Sequence, residues 1–226
     1  MEKDKVPPQL RAKTDPSEIS YKYFHWGPFL FYTKITPKEC QMLLREGKKC
    51  QKKSNDFTTR LAGHLSEEYT FTGGNHMRKI QEALHKYFEA YVFAYNKWRG
   101  GKGHTLTHVK IESLWINYMK AYDFNPPHAH SGDLSFIIYP EMPKALVKEN
   151  EKYKGTAQGP GGVSWYYGDG VSYEYIDTVA HLPERGDLFI FPASLKHWVF
   201  PFKSKVERIS ISGNVLTDRK AYGVEK

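Results

Sequence analysis

The tract Asn125-Pro-Pro-His-Ala-His-Ser-Gly-Asp133, taken with His197 and Arg208 far downstream, constrains this chain more than any other feature. His128 and His130 stand just before a strand-like run, Leu134-Ser-Phe-Ile-Ile-Tyr139. His197 ends a second strand-like region, Asp187-Leu-Phe-Ile-Phe-Pro-Ala-Ser-Leu-Lys-His197, and Arg208 opens a third, Arg208-Ile-Ser-Ile-Ser212. Side chains alternate along an extended chain, so a His-x-His spacing puts both rings on one side. A close pair, a distant histidine and a trailing arginine outline a mononuclear non-haem iron site with an acidic co-substrate. Ligands on one face of the metal leave positions open for a bidentate 2-oxo acid and for O2. Arg208 offers a fork of donors to the far carboxylate of that acid, and Ser210 faces the same way. A fold that uses this pattern must gather strands from distant parts of the chain around one point.

The rest of the sequence supplies such strands. Short strand-like runs fall at 114–119, 134–139, 163–167, 173–179, 187–191, 197–201 and 208–215, separated by turns such as Asn125-Pro-Pro127 and Gly159-Pro-Gly-Gly162. This punctuation reads as a sandwich or jelly roll. Helices precede it. Thr36 reads as an N-cap, with Pro37 at the first helical position and Glu39 completing a capping box. That helix is expected to run to about Glu46 and stop at Gly47. A longer amphipathic helix is expected over 75–98, with Ile80, Leu84, Tyr87, Phe88, Tyr91 and Ala94 at three- and four-residue steps. The segment 53–74 is less regular, and 29–35 reads as a short strand. The organisation is therefore a loose arm over 1–20, then one α+β domain over 21–226. Within it, helical support spans 21–103 and a β-rich core spans 104–216.

Bulk properties exclude other classes. The chain has 226 residues and a formal net charge of +8, but the positive charge is scattered. Its densest clusters, 45–53 and 97–102, read as solvated helix faces and loop ends, so nucleic acid is not an expected partner. Cys40 and Cys50 fit no zinc spacing and are expected to be reduced. No signal peptide is evident and no run approaches a membrane span. A cytoplasmic protein is expected (in the host cytoplasm, were it phage-encoded).

The residues also resemble a known family. Trp115-x-Asn117, His128-x-His130, Leu134-Ser135 leading to Ile138-Tyr139, Pro183-x-x-Gly186-Asp187-Leu188, Phe191-Pro192, His197 and Arg208-Ile-Ser210 follow one another as in the prolyl-4-hydroxylase-like 2-oxoglutarate/Fe(II) oxygenases. The likeness is nearest to small oxygenases of bacterial and marine-phage genomes. It covers about 110–215 and, more loosely, Trp26-Gly-Pro-Phe29. It implies a double-stranded β-helix, a distorted jelly roll, as the core behind supporting N-terminal helices. It also implies Fe(II), 2-oxoglutarate and O2 as cofactor and co-substrates, with hydroxylation of a substrate.

One departure matters. The wider superfamily carries His-x-Asp, whereas this chain has His130 at the second position. Either His128, His130 and His197 all bind iron, or Asp133 replaces His130 from a slightly longer turn and His130 orients the site. Arg208 and Ser210 are expected to hold 2-oxoglutarate. Tyr139 and Asn117 are further candidates; Tyr118 and Tyr122 compete for the role of Tyr139. His64 is the one remaining histidine placed to fold over a mouth, and the loop over 154–170 reads as either a lid or a hairpin excursion. The substrate is not legible: a peptide, an amino acid, a nucleobase and a small metabolite all fit, and oligomeric state is equally silent. Two other readings stand beside the hydroxylase. One is a cupin-like three-histidine metal protein, which leaves Arg208 without a task. The other is a dioxygenase that needs no 2-oxo acid.

Overall fold

The computed structural model describes residues 27–72, 74–100, 106–168 and 178–218. The expected arm over 1–20, Trp26, and the part of the expected strand 173–179 that precedes Thr178 lie outside them. Among the described residues, ten strands form two antiparallel sheets. The larger contains β1 (Phe31–Lys34), β2 (Glu68–Thr70), β3 (Val109–Met119), β5 (Leu134–Glu141), β8 (Asp187–Pro192) and β10 (Arg208–Thr217), in the spatial order β1-β8-β5-β10-β3-β2. The smaller contains β4 (Asn125–His128), β6 (Val163–Tyr166), β7 (Thr178–His181) and β9 (Lys196–Val199), in the order β4-β9-β6-β7. From β3 to β10 the chain passes back and forth between the sheets, the β6–β7 pair excepted, as in a double-stranded β-helix.

The described residues also form three α-helices: α1 (Pro37–Cys50), α2 (Gly74–Arg99) and α3 (Lys144–Glu151). The Thr36 capping box forms as expected, with Glu39 N–H donating to Thr36 Oγ1 at 3.3 Å and Thr36 N–H donating to Glu39 Oε2 at 2.7 Å. Helices α1 and α2 bury Leu43, Ile80, Leu84, Phe88 and Tyr91 against the outer face of the larger sheet. Its inner face meets the smaller sheet. In β5, Phe136 and Ile138 join the helical core while Ile137 and Tyr139 join the core between the sheets. This strand is covered on both sides, so its sequence is a continuous apolar run rather than an alternating one. In β3 and β10 the period-two pattern separates two environments. Leu114, Ile116, Tyr118 and Ile211 pack toward the helices, and the intervening Trp115, Asn117, Ser210 and Ser212 line a cavity on the other side.

Four local expectations need correction. Helix α1 does not stop at Gly47 but continues to Cys50. A Cβ at Gly47 would stand 2.2 Å from Ile116 Cδ1, so this glycine is where the helix touches the sheet. Asn125-Pro-Pro127 is not a turn; it forms most of β4. This strand lies at the edge of its sheet, where a proline removes no needed ladder bond. Helix α3 and strand β2 are short elements without strong sequence punctuation, and neither was expected. Trp165 is buried in β6, which agrees with the expected strand over 163–167 and removes this ring from the lid read over 154–170.

Replacing Gly47 with alanine forces Ile116 or the helix to move. We expect Gly47→Ala to lower unfolding free energy by about 1–3 kcal/mol, read as a reduced urea midpoint. An unchanged midpoint would show that α1 is not pressed against β3.

Candidate active site

His128 ends β4 and lies directly across from His197 in β9, which places their ring centroids 4.4 Å apart. His130 follows in the turn beyond β4, where its N–H donates to Ala193 O at 2.8 Å. Its Nε2 approaches His197 Nε2 at 3.2 Å. One ligand atom from each of His128, His130 and His197 lies within 4.8 Å of the others. The opposite ring nitrogens are held by the backbone. His128 Nδ1 lies 2.7 Å from Pro126 O, and His197 Nδ1 lies 3.0 Å from Leu195 O. A carbonyl accepts only from a protonated nitrogen, so both contacts fix the proton on Nδ1 and leave Nε2 as the free ligand atom. Burial disfavours the charged rings. It lowers the pKa of His128, and with the neighbouring histidines it lowers His130 to about 4 and His197 to about 3. Neutral imidazoles are the form that binds a metal.

Asp133 stands apart from this cluster. Gly132, at φ +88°, turns the chain, and Asp133 Oδ2 accepts from Thr217 N–H at 2.8 Å and Thr217 Oγ1 at 3.0 Å. The carboxylate ties the end of β10 to the turn.

Arg208 is 2% exposed, and it opens β10 opposite Met119. Its Nη1 meets Met119 Sδ at 3.2 Å and Gly161 O at 3.5 Å, and its Cζ lies 4.9 Å from the centre of the Tyr139 ring. No carboxylate within salt-bridge distance offsets its charge among the described residues, and Nε has no hydrogen-bond partner. Burial therefore pulls its pKa below the ordinary value. Around it, the Tyr139 hydroxyl and Asn117 Oδ1 are also buried without partners, and burial pushes Tyr139 up to about 12. Asn117 Nδ2 donates to Ser210 Oγ at 3.2 Å. Tyr118 instead faces the helices, and Tyr122 is exposed at φ 70°.

The three histidines, Asn117, Ser210 and Arg208 line one cavity of about 370 Å³, and Tyr139 lies behind Arg208 outside its lining. Phe57 and the segment 60–63 form part of its wall. His64 does not reach the cluster; its backbone pairs with Phe124, pinning that segment beside β4. The cavity also shows a residue the sequence reading missed. Glu68 in β2 is 2% exposed, lines the same space, and has an unpartnered Oε2. Burial, reinforced by Asp123 and Asp56, raises its pKa to about 8.

The β-helix thus brings His128 and His197 from the smaller sheet, and His130 from the turn beside it, together as a candidate metal centre, with a buried arginine on the larger sheet. Residues 113–214 match the family model described as "Putative 2OG-Fe(II) oxygenase", a model of 2-oxoglutarate- and Fe(II)-dependent oxygenases. Their cofactor is Fe(II), and their co-substrates are 2-oxoglutarate and O2. No curated protein matches the chain. Among solved structures, the fold is similar to the viral collagen prolyl hydroxylase of Paramecium bursaria Chlorella virus-1 in its 2-oxoglutarate complex. The TM-score is 0.53 at 13% identity, over 84% of this chain and 96% of that one. It is also similar to a Pseudomonas putida prolyl-4-hydroxylase (TM-score 0.50, 15% identity, 84% and 92% covered). A third likeness is to SnoN, a non-haem α-ketoglutarate-dependent epimerase of nogalamycin biosynthesis (0.52, 12%, 86% and 82%). At these identities the likenesses establish the fold.

The raised pKa of Glu68 has a consequence for stability. Between its ordinary value of 4.5 and about 8, the folded protein keeps a proton that the unfolded chain has lost. Stability from this group therefore falls as pH rises through that window. Glu68→Gln removes the dependence, so its melting temperature should gain on the wild type from pH 5 to pH 8. A gap independent of pH would mean that Glu68 is ionised in the folded protein.

Proposed function

We propose that His128, His130 and His197 hold Fe(II), and that Arg208 and Ser210 bind the far carboxylate of 2-oxoglutarate, with Tyr139 and Asn117 beside them. The observation that carries this reading is the uncompensated charge of Arg208. A buried cation without an anion destabilises a protein, and the groups around this one are also short of partners. A dicarboxylate reaching in from the metal end supplies the missing anion and takes up the Tyr139 hydroxyl. The three-histidine set is favoured over one with Asp133 because Thr217 already engages that carboxylate. Bound iron supplies the oxidising chemistry. The protein's own contribution is to present neutral Nε2 ligands, orient the co-substrate through Arg208, and keep the deep end of the pocket dry behind Gly161 and Tyr139.

We read 21–226 as one oxygenase domain, because α1 and α2 pack on the sheet that carries Arg208. The substrate is proposed to be a side chain presented by a peptide, since the cavity is open and two of the fold's neighbours are prolyl hydroxylases by name. The cupin-like and 2-oxo-acid-independent readings both leave Arg208 without an anion.

Anaerobic titration of 2-oxoglutarate into the Fe(II)-loaded protein should produce a weak visible charge-transfer band. Iron bound without the band would favour the reading that needs no 2-oxo acid. His197→Ala should lose stoichiometric Fe(II) binding, and retained iron would remove it from the ligand set. Arg208→Met should raise the melting temperature of the ligand-free protein, since it deletes an unpaired buried charge. The same variant should lose at least tenfold in 2-oxoglutarate affinity while still binding Fe(II). Unchanged 2-oxoglutarate affinity would overturn the role of Arg208.

A further inference from the structure

One buried polar group in the cavity is used by neither the metal nor the co-substrate. Glu68 stands across from Asn117 in the β2–β3 register, on the cavity face of the larger sheet. Its Oε2 accepts nothing, and no cation acts on it among the described residues. The charged groups that act on it are two other carboxylates, Asp123 and Asp56, and both are engaged elsewhere. Asp123 accepts from Ser66 N–H, Ser66 Oγ and Lys120 N–H; Asp56 accepts from Thr58 N–H. Arg60 and Arg208 line other parts of the same cavity, and neither acts on Glu68.

The wall next to Glu68 is aromatic. Trp115 lies two residues from Asn117 on the same strand face, diagonal to Glu68 and within reach of a long side chain. Phe57 stacks toward Trp115 with ring centroids 6.3 Å apart, and Phe57 N–H donates to Glu68 O at 2.8 Å, which fixes that ring beside the acid. On its other side Trp115 lies 5.6 Å from the His130 ring. Phe57, Trp115 and His130 thus form a row from the buried acid to the metal cluster. Aromatic faces attract cations, and a buried carboxyl without a partner is relieved by one.

We propose that the substrate carries a positively charged nitrogen, an alkylammonium or guanidinium group such as ends a basic side chain. This group seats against Glu68 along the Phe57–Trp115 wall and leaves the attached carbon chain facing the histidine cluster. The proposal rests on reading the cavity as an oxygenase pocket. An anionic substrate group would add to the negative field at Glu68, and a purely apolar one would leave Glu68 buried and unsatisfied.

The test uses n-butylammonium and N-methylguanidinium chlorides as probes and n-butanol as the neutral control. They are titrated into the metal-loaded protein while the Trp115 indole N–H resonance is followed by NMR. Both cations should shift it saturably, and n-butanol should not at equal concentration. Glu68→Gln, nearly identical in shape to the protonated acid, should weaken cation binding at least tenfold. Phe57→Leu should weaken it severalfold; a cooperative thermal transition establishes that each variant is folded. Equal binding of n-butanol, an unchanged affinity in Glu68→Gln, or no saturable shift with either cation would overturn the proposal. The 2-oxoglutarate charge-transfer band of the wild type is read separately. Its absence counts against the oxygenase pocket, whereas loss of cation selectivity with the band present counts against the role of Glu68 alone.

Discussion

Strand β10 is hydrogen-bonded along both edges, to β3 and to β5, and this double pairing fixes most of what the molecule can do. With both neighbours in place the strand cannot slip, and its two-residue period sends Ile211 and Val215 to the helices and Arg208, Ser210 and Ser212 to the cavity. A slip of one residue would exchange the two sets. Gly213 shows how tightly the register is held: a Cβ there would come within 2.6 Å of both Phe136 and the Ser113 carbonyl. Packing of the helices is thereby the same event as positioning of the buried arginine.

The cavity holds its ionisable groups away from their preferred states. The histidines are kept neutral by burial, Arg208 is charged without a carboxylate, and Glu68 is pushed toward its protonated form. Such an arrangement lowers the stability of the empty protein and is retained where ligands complete it. The outer side of the same sheet shows the opposite economy, with Phe88 edge-on to Phe136 and Tyr91 in contact with Phe29 and Phe31. The apolar side supports the polar one.

Much of this was legible in the chain because it depends on order and alternation. His128 and His130 precede the apolar run of β5, His197 follows the apolar run of β8, Arg208 opens β10, and the capping box at Thr36 is a local signal. What stayed hidden depends on contacts between distant residues. Asp133 is near His130 in sequence, yet a positive-φ glycine swings its carboxylate to Thr217. Gly47 has the composition of a helix stop but serves as a point of close approach to Ile116. Glu68 sits in a three-residue strand inside an irregular segment, and only pairing with β3 shows that it is buried. Helix α3 has no side-chain cap, and Pro143 is its only punctuation.

Strand β4 carries Pro126 and Pro127 on the open edge of the smaller sheet, one residue before the first histidine. An exposed edge invites another chain to add its own strand, and prolines on an edge strand blunt that invitation by removing N–H donors. The rim that bears His128 is therefore poorly suited to intermolecular sheet extension. A mouth bounded by such a rim can stand open to large molecules without seeding aggregation between copies.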